Sequence, residues 1–496
     1  MKKSIFGMLL MMESLFMAFT TLVALFYHYK AGEQDWLAFA VTTVITLVSG
    51  ILLTSYGHTR RGRAQNKLTR SGSFIVVGFT WVITSVFGML PFILYEGLPL
   101  DFASAYFETI SGFTTTGATV LSNIDTLPHG ILLWRSLIQW MGGLGIVVLT
   151  FALLPVNDMK NATMFQAEMS GLTVNRLRPK IGATSRRLFL IYITLTLVCA
   201  VMYWIGPMGI FDAVCHALTT ISTGGYSTHT ESMGFYHSPY IEYVAILFML
   251  ISSINFGVYY YLSIWRRREA MHNEEMRAFL FTVLGLVAIF CLLFRFAVFD
   301  GSVAIPANGE QIFRTSLFHV STIISSTGYQ GEIFDYVGWG TPFWMPTIVM
   351  MIVGGCTVST SGGLKLMRVL VYLKYAMREF RVHIHPHAVV SVKLNGRVVP
   401  EPQIRRVMSF LVIYVLLLIV SCALLTIFMG FTPDTAFGAC VSAFGNTGPA
   451  FGSLGPAGNF AAVPAAGKLL LSLLMLIGRL EIFTILFLFM PKAWRI

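Results

Sequence analysis

Long apolar runs separated by short polar stretches extend along the whole chain. Trp36–Tyr56, Gly72–Tyr95, Leu188–Ile210, Thr341–Leu364 and Val407–Pro433 contain no Asp, Glu, Lys or Arg. A helix needs roughly 20 apolar residues to cross hydrocarbon, so each run predicts a membrane span. Another run begins behind Lys2 and Lys3 and reaches Tyr29. Glu13 interrupts it and no small-x-small cleavage site closes it, which predicts a retained first span rather than a removed leader.

From residue 72 a second pattern is laid over the first: span, short semi-polar segment, span, four times over. The short segments read SGFTTTGAT (111–119), TTISTGGYST (219–228), IISSTGYQG (323–331) and SAFGNTGPAFG (442–452). Each holds a Thr-Gly pair, at 116–117, 223–224, 327–328 and 447–448, and successive pairs stand 107, 104 and 120 residues apart. A regular period of this kind marks an internal repeat. Ahead of each pair lies an apolar stretch too short to span: Phe102–Ile110, Ile210–Thr219, Ile312–Ile323 and Ala436–Ala443. These predict re-entrant helices, each followed by an extended loop. Irregular backbone at membrane depth is tolerated only inside protein or along an aqueous cavity, so four such loops imply a shared cavity.

The expected fold class is therefore an all-α polytopic membrane protein with about ten transmembrane helices. Four pseudo-symmetric helix–pore loop–helix repeats surround a central pore, with two extra N-terminal helices. The expected division is 1–70 for the extra helices, then 71–187, 188–276, 277–403 and 404–496 for the four repeats. Two spans per unit return each repeat to the same side, giving parallel rather than inverted repeats.

Composition agrees with a bilayer: 55% of residues are hydrophobic and 11% are charged. The net charge of +11 could point to nucleic acid, but its distribution argues otherwise. Basic residues cluster in alternate connections and at the termini (Arg60 to Arg70, Lys160 to Arg187, Arg266 to Arg277, Lys374 to Arg406). The intervening connections carry Glu96, Asp101, Asp125, Asp212, Glu231, Glu332, Asp335 and Asp434 instead. That is the positive-inside pattern, and it predicts cytoplasmic N and C termini. Six scattered cysteines without Cys-x-x-Cys spacing read as buried small hydrophobes.

A cation leaving water needs several oxygen ligands, and backbone carbonyls supply them without fixed charge. Turning successive carbonyls toward one axis requires unusual backbone angles, which Gly adopts without a Cβ clash. The neighbouring hydroxyls add further oxygens. One loop cannot encircle an ion, whereas four related loops can. The candidate potassium ligands are Thr115, Thr116, Gly117, Ser222, Thr223, Gly224, Ser326, Thr327, Gly328, Asn446, Thr447 and Gly448. Potassium at these residues is the one metal site expected.

Together with WRSLIQWMGGLGIVVL (134–149), GGCTVSTSGGLK (354–365) and GRLEIF (478–483), these loops resemble the Trk/Ktr/HKT superfamily of potassium transporters. Similarity is greatest to the TrkH-type membrane subunit of a bacterial Trk potassium-uptake system, and it covers nearly the whole chain. The resemblance implies that Gly117, Gly224, Gly328 and Gly448 are the selectivity-filter glycines. It also implies potassium preference, because in the family Ser at the first filter position accompanies sodium permeation and this chain keeps Gly117. It further implies a multi-pass protein of the bacterial inner membrane, a homodimer, and a cytosolic nucleotide-binding regulatory subunit. No nucleotide motif occurs in this chain, so any nucleotide is expected on that partner. No covalent cofactor is expected. The basic loops 156–187 and 374–406 are candidate docking surfaces.

Below the filters, Thr341–Met377 would run about 55 Å as one straight helix, nearly twice the hydrocarbon thickness. It must break, and Gly354, Gly355, Thr357, Ser359, Thr360, Ser361, Gly362 and Gly363 mark where. Paired glycines loosen a helix and hydroxyls re-satisfy freed backbone groups. The segment is either a passive kink or, as the resemblance implies, an intramembrane gating loop. Arg479 lies inside the last apolar run, two residues from Glu481 and so not on one helical face with it. It either points toward the pore and the gating loop or forms a buried ion pair with another span. Arg135 reads as a snorkelling residue near the outer end of its span.

Outer acids Asp125, Glu231, Glu332 and Asp335 either concentrate cations or are ordinary solvated loop charge. HIHPH (383–387), in a cytoplasmic loop with no further ligand set, either binds a metal, contacts a cytosolic partner or is plainly solvated. Parallel repeats favour a gated conducting pore over an alternating-access cotransporter coupled to sodium or protons. A membrane enzyme would need a clustered nucleophile, base or metal set, and the sequence displays none.

Overall fold

The computed structural model describes residues 2–59, 70–143, 145, 181–263, 265, 267–296, 305–456, 458–480 and 482–489. Two long helices open it, α1 (Lys2–Ala31) and α2 (Trp36–Thr59), which pack against each other as a hairpin. Next come α3 (Arg70–Gly88), α4 (Leu90–Leu94), the short α5 (Phe102–Phe113) and α6 (His129–Gly143). Then follow α7 (Ile181–Ile205), the short α8 (Ile210–Ile221), α9 (Pro239–Ser253) and α10 (Phe256–Ser263). The next group is α11 (Arg267–Met271), α12 (Glu274–Phe296), α13 (Gly309–Ile324), α14 (Thr341–Val353) and α15 (Leu366–Ile384). A small antiparallel hairpin, Lys393–Leu394 with Arg397–Val398, leads into α16 (Glu401–Met429) and α17 (Pro433–Gly445). Last come α18 (Ala465–Leu480) and α19 (Ile482–Leu486).

Six stretches among the described residues are long and apolar enough to cross a membrane, and a seventh forms if α9 and α10, bent by 86°, count as one. The ten spans expected are not all met as single long helices. The expected run Gly72–Tyr95 is met by the span Ile75–Leu94, with a turn at Met89 ahead of Pro91, whereas Thr341–Leu364 stops being helical at Val353. Exposed apolar side chains crowd the long helices, such as Leu416, Ile419 and Ile427 on α16 and Val44, Ile51 and Leu52 on α2. In water that surface would drive association; a bilayer solvates it.

The four short helices α5, α8, α13 and α17 have the opposite character. Nearly every residue in their C-terminal halves is buried, from Phe107 to Phe113, Cys215 to Ile221, Phe318 to Ile324 and Gly438 to Gly445. The α1–α2 hairpin also helps orient the helix behind the first of them. Glu33 Oε2 accepts the His129 amide at 2.8 Å and Asp35 Oδ2 accepts that of Ile131 at 3.2 Å. Two carboxylates thereby satisfy donors that the first turn of α6 would leave free.

Candidate functional site

Each short helix ends in the same backbone figure. After α5, Thr115 is left-handed (φ 54°) and the Thr116 amide reaches back to Ser111 O at 2.8 Å. After α13, Ser326 (φ 56°) is followed by Thr327 N bonding Thr322 O at 2.9 Å. After α17, Asn446 (φ 52°) is followed by Thr447 N bonding Ser442 O at 3.0 Å. In each case the next residue is a glycine at positive φ: Gly117 (82°), Gly328 (77°) and Gly448 (97°). This is a left-handed helix cap with a six-to-one hydrogen bond, and it closes the carboxyl end of each short helix.

The second loop follows the figure one residue later than its Thr-Gly pair suggests. Thr223 is the left-handed residue (φ 53°), Gly224 N bonds Thr219 O at 2.8 Å, and Gly225 carries the positive φ (80°). Gly224 therefore stands where the other loops have threonine, and Gly225 where they have glycine. The expected equivalence of Gly224 with Gly117, Gly328 and Gly448 is corrected to Gly225. Ser222 moves correspondingly to the helix-cap position of Thr114 and Ser325.

The four loops close on one another. A Cβ added to Gly117 would strike Gly224 O, one on Gly225 would strike Thr327 O, and one on Gly328 would strike Thr447 O. One on Gly448 would lie 2.6 Å from Thr116 O, which completes the circuit. Four carbonyls, of Thr116, Gly224, Thr327 and Thr447, thus abut the four positive-φ glycines of their neighbours. The short helices aim their carboxyl ends at this ring, adding partial negative charge.

Buried polar side chains hold the ring from behind. Gln139 on α6 donates from Nε2 to Gly224 O at 2.6 Å and accepts the Tyr226 amide at Oε1 at 3.0 Å. Tyr226 in turn donates to Glu108 O at 2.8 Å. Arg135, expected to snorkel, is instead 1% exposed. It meets Glu108 Oε1 at 3.0 Å, donates to Ser227 O at 3.2 Å and lies 4.1 Å from the Tyr226 ring centroid. A fully buried carboxylate and guanidinium need each other, and that outweighs the reach to water. Glu108 also accepts from Val120 N at 2.9 Å and from the Thr119 hydroxyl, bracing the first loop against its own short helix, while Tyr226 and the Arg135–Ser227 bond tie the second loop to it. A carboxylate in an otherwise apolar short helix was the sequence signal for this partner.

Beneath the ring lies the broken helix. Between α14 and α15, Gly354 (φ 65°), Val358 (58°), Gly363 (80°) and Lys365 (73°) turn the backbone out of helix. The segment is stitched to many elements. Ser326 Oγ accepts the Gly362 amide at 2.6 Å and lies 3.2 Å from Ser361 Oγ. The Thr360 hydroxyl faces Ile221 O and Ser252 O, both at 3.2 Å. Glu275 accepts the Thr357 amide at 2.6 Å and its hydroxyl at 2.8 Å. Gly355 N bonds Ser361 Oγ at 3.0 Å, and the Ser359 hydroxyl bonds Cys356 O at 2.6 Å. Arg479 donates to Thr360 O, to Gly142 O at 2.8 Å and to Gly143 O at 2.9 Å. The loop thus meets the inner ends of α8, α13 and α6, the last through one guanidinium. Glu481 and most of 156–187 lie outside the described residues.

Two of the outer acids, Asp125 and Glu332, have charged partners. Asp125 meets His229 Nδ1 at 2.9 Å and accepts from Thr230, and His229 Nε2 lies 3.6 Å from Asp212. Partial burial works against charging His229, but the hydrogen bonds to Asp212 and Asp125 win and raise its pKa above the ordinary value. Glu332 stands 3.5 Å from Arg314, which also pairs with Glu242 and Glu310. Among the described residues no group of three His, Cys, Asp or Glu is placed to hold a metal ion, the HIHPH segment included.

Known proteins carry the same plan. Residues 40–496 match the TrkH family, described as cation transport proteins. The Trk system potassium uptake protein TrkH of Salmonella typhimurium (strain LT2) is 38% identical, over 99% of this chain and 98% of its own. The Trk system potassium uptake protein TrkG of Escherichia coli (strain K12) is 33% identical, over 99% and 97%. The crystal structure of the potassium transporter TrkH from Vibrio parahaemolyticus superposes with a TM-score of 0.84 at 31% identity, over 99% of both chains.

Proposed function

The chain belongs to the TrkH family of cation transport proteins, and from that premise we propose that it takes up potassium across the bacterial inner membrane through a selective, channel-like pore. The observation that carries the reading is the closed circuit of Thr116, Gly224, Thr327 and Thr447 carbonyls against Gly448, Gly117, Gly225 and Gly328. Carbonyl dipoles at close quarters replace the hydration shell of a monovalent cation without binding it too tightly to release. The relatives named as potassium uptake proteins supply the ion.

In this reading the ring selects and the segment Gly354–Gly363 gates. Arg479 joins the gate to α6 and places a fixed positive charge under the ring, where it opposes cation passage while the loop stays closed. A homodimer and a cytosolic nucleotide-binding subunit, docked on the cytoplasmic face that includes 374–406, complete the system. Both termini face the cytoplasm. The nucleotide binds the partner, and its energy reaches the gate as a shift in loop position.

A coupled potassium carrier is the second reading. The observation in its favour is Glu13 on α1, buried at 3% exposure, whose carboxyl has no hydrogen-bond partner among the described residues. Recording from the protein in liposomes separates the two, since a pore gives unitary currents and a carrier gives slow saturable exchange. The reading as a whole is tested in a potassium-uptake-deficient host on low potassium. The wild-type chain with its partner present restores growth, and Gly117→Ser restores it poorly while admitting sodium. Failure of a membrane-inserted wild-type chain to restore growth contradicts potassium uptake.

A further inference from the structure

The ring has fourfold spacing but not fourfold chemistry, and the second loop is where it departs. Thr116, Thr327 and Thr447 carry hydroxyls that neighbour the ring. The Thr116 and Thr114 hydroxyls lie 2.8 Å apart, and those of Thr327 and Ser325 lie 2.7 Å apart. Gly224 has no side chain at all. Its φ is not positive, so backbone strain is not what keeps it a glycine. What forbids a side chain is Gln139: a Cβ on Gly224 would run into the Gln139 carboxamide, with Nε2 at 2.8 Å.

We infer that Gln139 is a specificity-determining positioning residue, whose carboxamide takes the place of the missing fourth threonine side chain and sets the geometry of the second filter loop. Its orientation is fixed, because the atom facing Gly224 O must donate and the atom facing Tyr226 N must accept. The two bonds bracket Gly225, the positive-φ glycine of that loop. They also engage Gly224 O, one of the four ring carbonyls, so that oxygen is shared between an N–H and a passing cation. The ion site is then built from three fully available carbonyls and one weaker one. Gln139 is fully buried, so no water competes for the bonds.

The inference rests on the potassium-uptake reading and deepens it. The experiment measures rubidium uptake, with potassium and sodium as competitors, in cells holding equal amounts of membrane-inserted protein. Gln139→Leu removes both bonds at similar volume, and its potassium-over-sodium preference falls by roughly fivefold, the loss expected when a buried hydrogen bond goes. Gly224→Thr alone blocks uptake by colliding with the carboxamide. Gly224→Thr combined with Gln139→Ala restores a fourth threonine into the vacated space and recovers uptake relative to the single variant. A normal cation preference in Gln139→Leu overturns the inference. So does a double variant no better than Gly224→Thr, in membrane level or in uptake. A wild-type chain that carries neither rubidium nor potassium would instead defeat the underlying reading.

Discussion

The ring of loop carbonyls and the broken helix beneath it are both irregular backbone buried in protein, yet they are held differently. Each loop of the ring is closed by a local bond to its own short helix, the six-to-one bond joining residues five apart, and side chains such as Gln139 and Asn446 brace the closed loops from other elements. Segment 354–363 is fastened mainly by partners far away in sequence. Thr357 is held from Glu275, Thr360 from Arg479 and Gly362 from Ser326. Local bonds form whenever the helix forms, so the ring keeps its shape. Long-range bonds break when a distant element shifts, which is what a gate requires.

Perturbing the ring has the largest expected effect. Gly328→Ala places a Cβ against Thr447 O and keeps an L-residue at φ 77°. Such strain costs about 1–2 kcal/mol before the collision is counted, and rubidium uptake falls by more than about tenfold. An uptake close to wild type breaks the contrast at its rigid end. Next comes Arg479→Ala, which removes charge-assisted bonds to three carbonyls. Each such bond is worth roughly 1.5–3 kcal/mol, so conductance without the regulatory partner rises by about tenfold or more. Unchanged flux through folded protein denies Arg479 a part in gating.

Ser326→Ala is subtler. It leaves the helix cap intact but removes the acceptor for Gly362 N. One neutral bond is worth about 1 kcal/mol, so basal flux rises by roughly fivefold while cation preference stays unchanged. A changed preference instead would mean that ring and gate are one mechanical unit. The smallest effect is at the outer clasp. Because the folded pKa of His229 is raised, its charged contacts with Asp125 and Asp212 stabilise fully below its unfolded value. That stability is lost as pH rises through the folded value. Thermal stability of purified protein therefore declines as pH rises above the ordinary histidine value of about 6.5 in wild type and not in His229→Gln, by less than about 1 kcal/mol.

Much of this was legible in the chain. Four Thr-Gly pairs at a regular period, each after a short apolar stretch, located the short helices to within a few residues. The apolar pattern was strong because a bilayer tolerates no compromise in it. The register of the second loop was not legible. Two adjacent glycines follow Thr223, and only the bond from Gly224 N to Thr219 O decides which of them takes positive φ. Arg135 was misread for a related reason: its partner Glu108 is 27 residues away, and helix spacing says nothing about pairs across helices. The break in Thr341–Met377 followed from length and glycine alone, whereas the partners that hold it come from four other helices.

The most direct test of a single ring is the potassium-over-sodium preference of five variants measured side by side: Gly117→Ser, Gly225→Ser, Gly328→Ser, Gly448→Ser and Gly224→Ser. A shared ring requires that the first four each lose preference, because each side chain enters the same circuit of carbonyls. Gly224→Ser, whose backbone φ tolerates a side chain, fails instead through collision with Gln139, in uptake more than in preference. Four independent loops would show one sensitive position and three indifferent ones, and that result would contradict the ring.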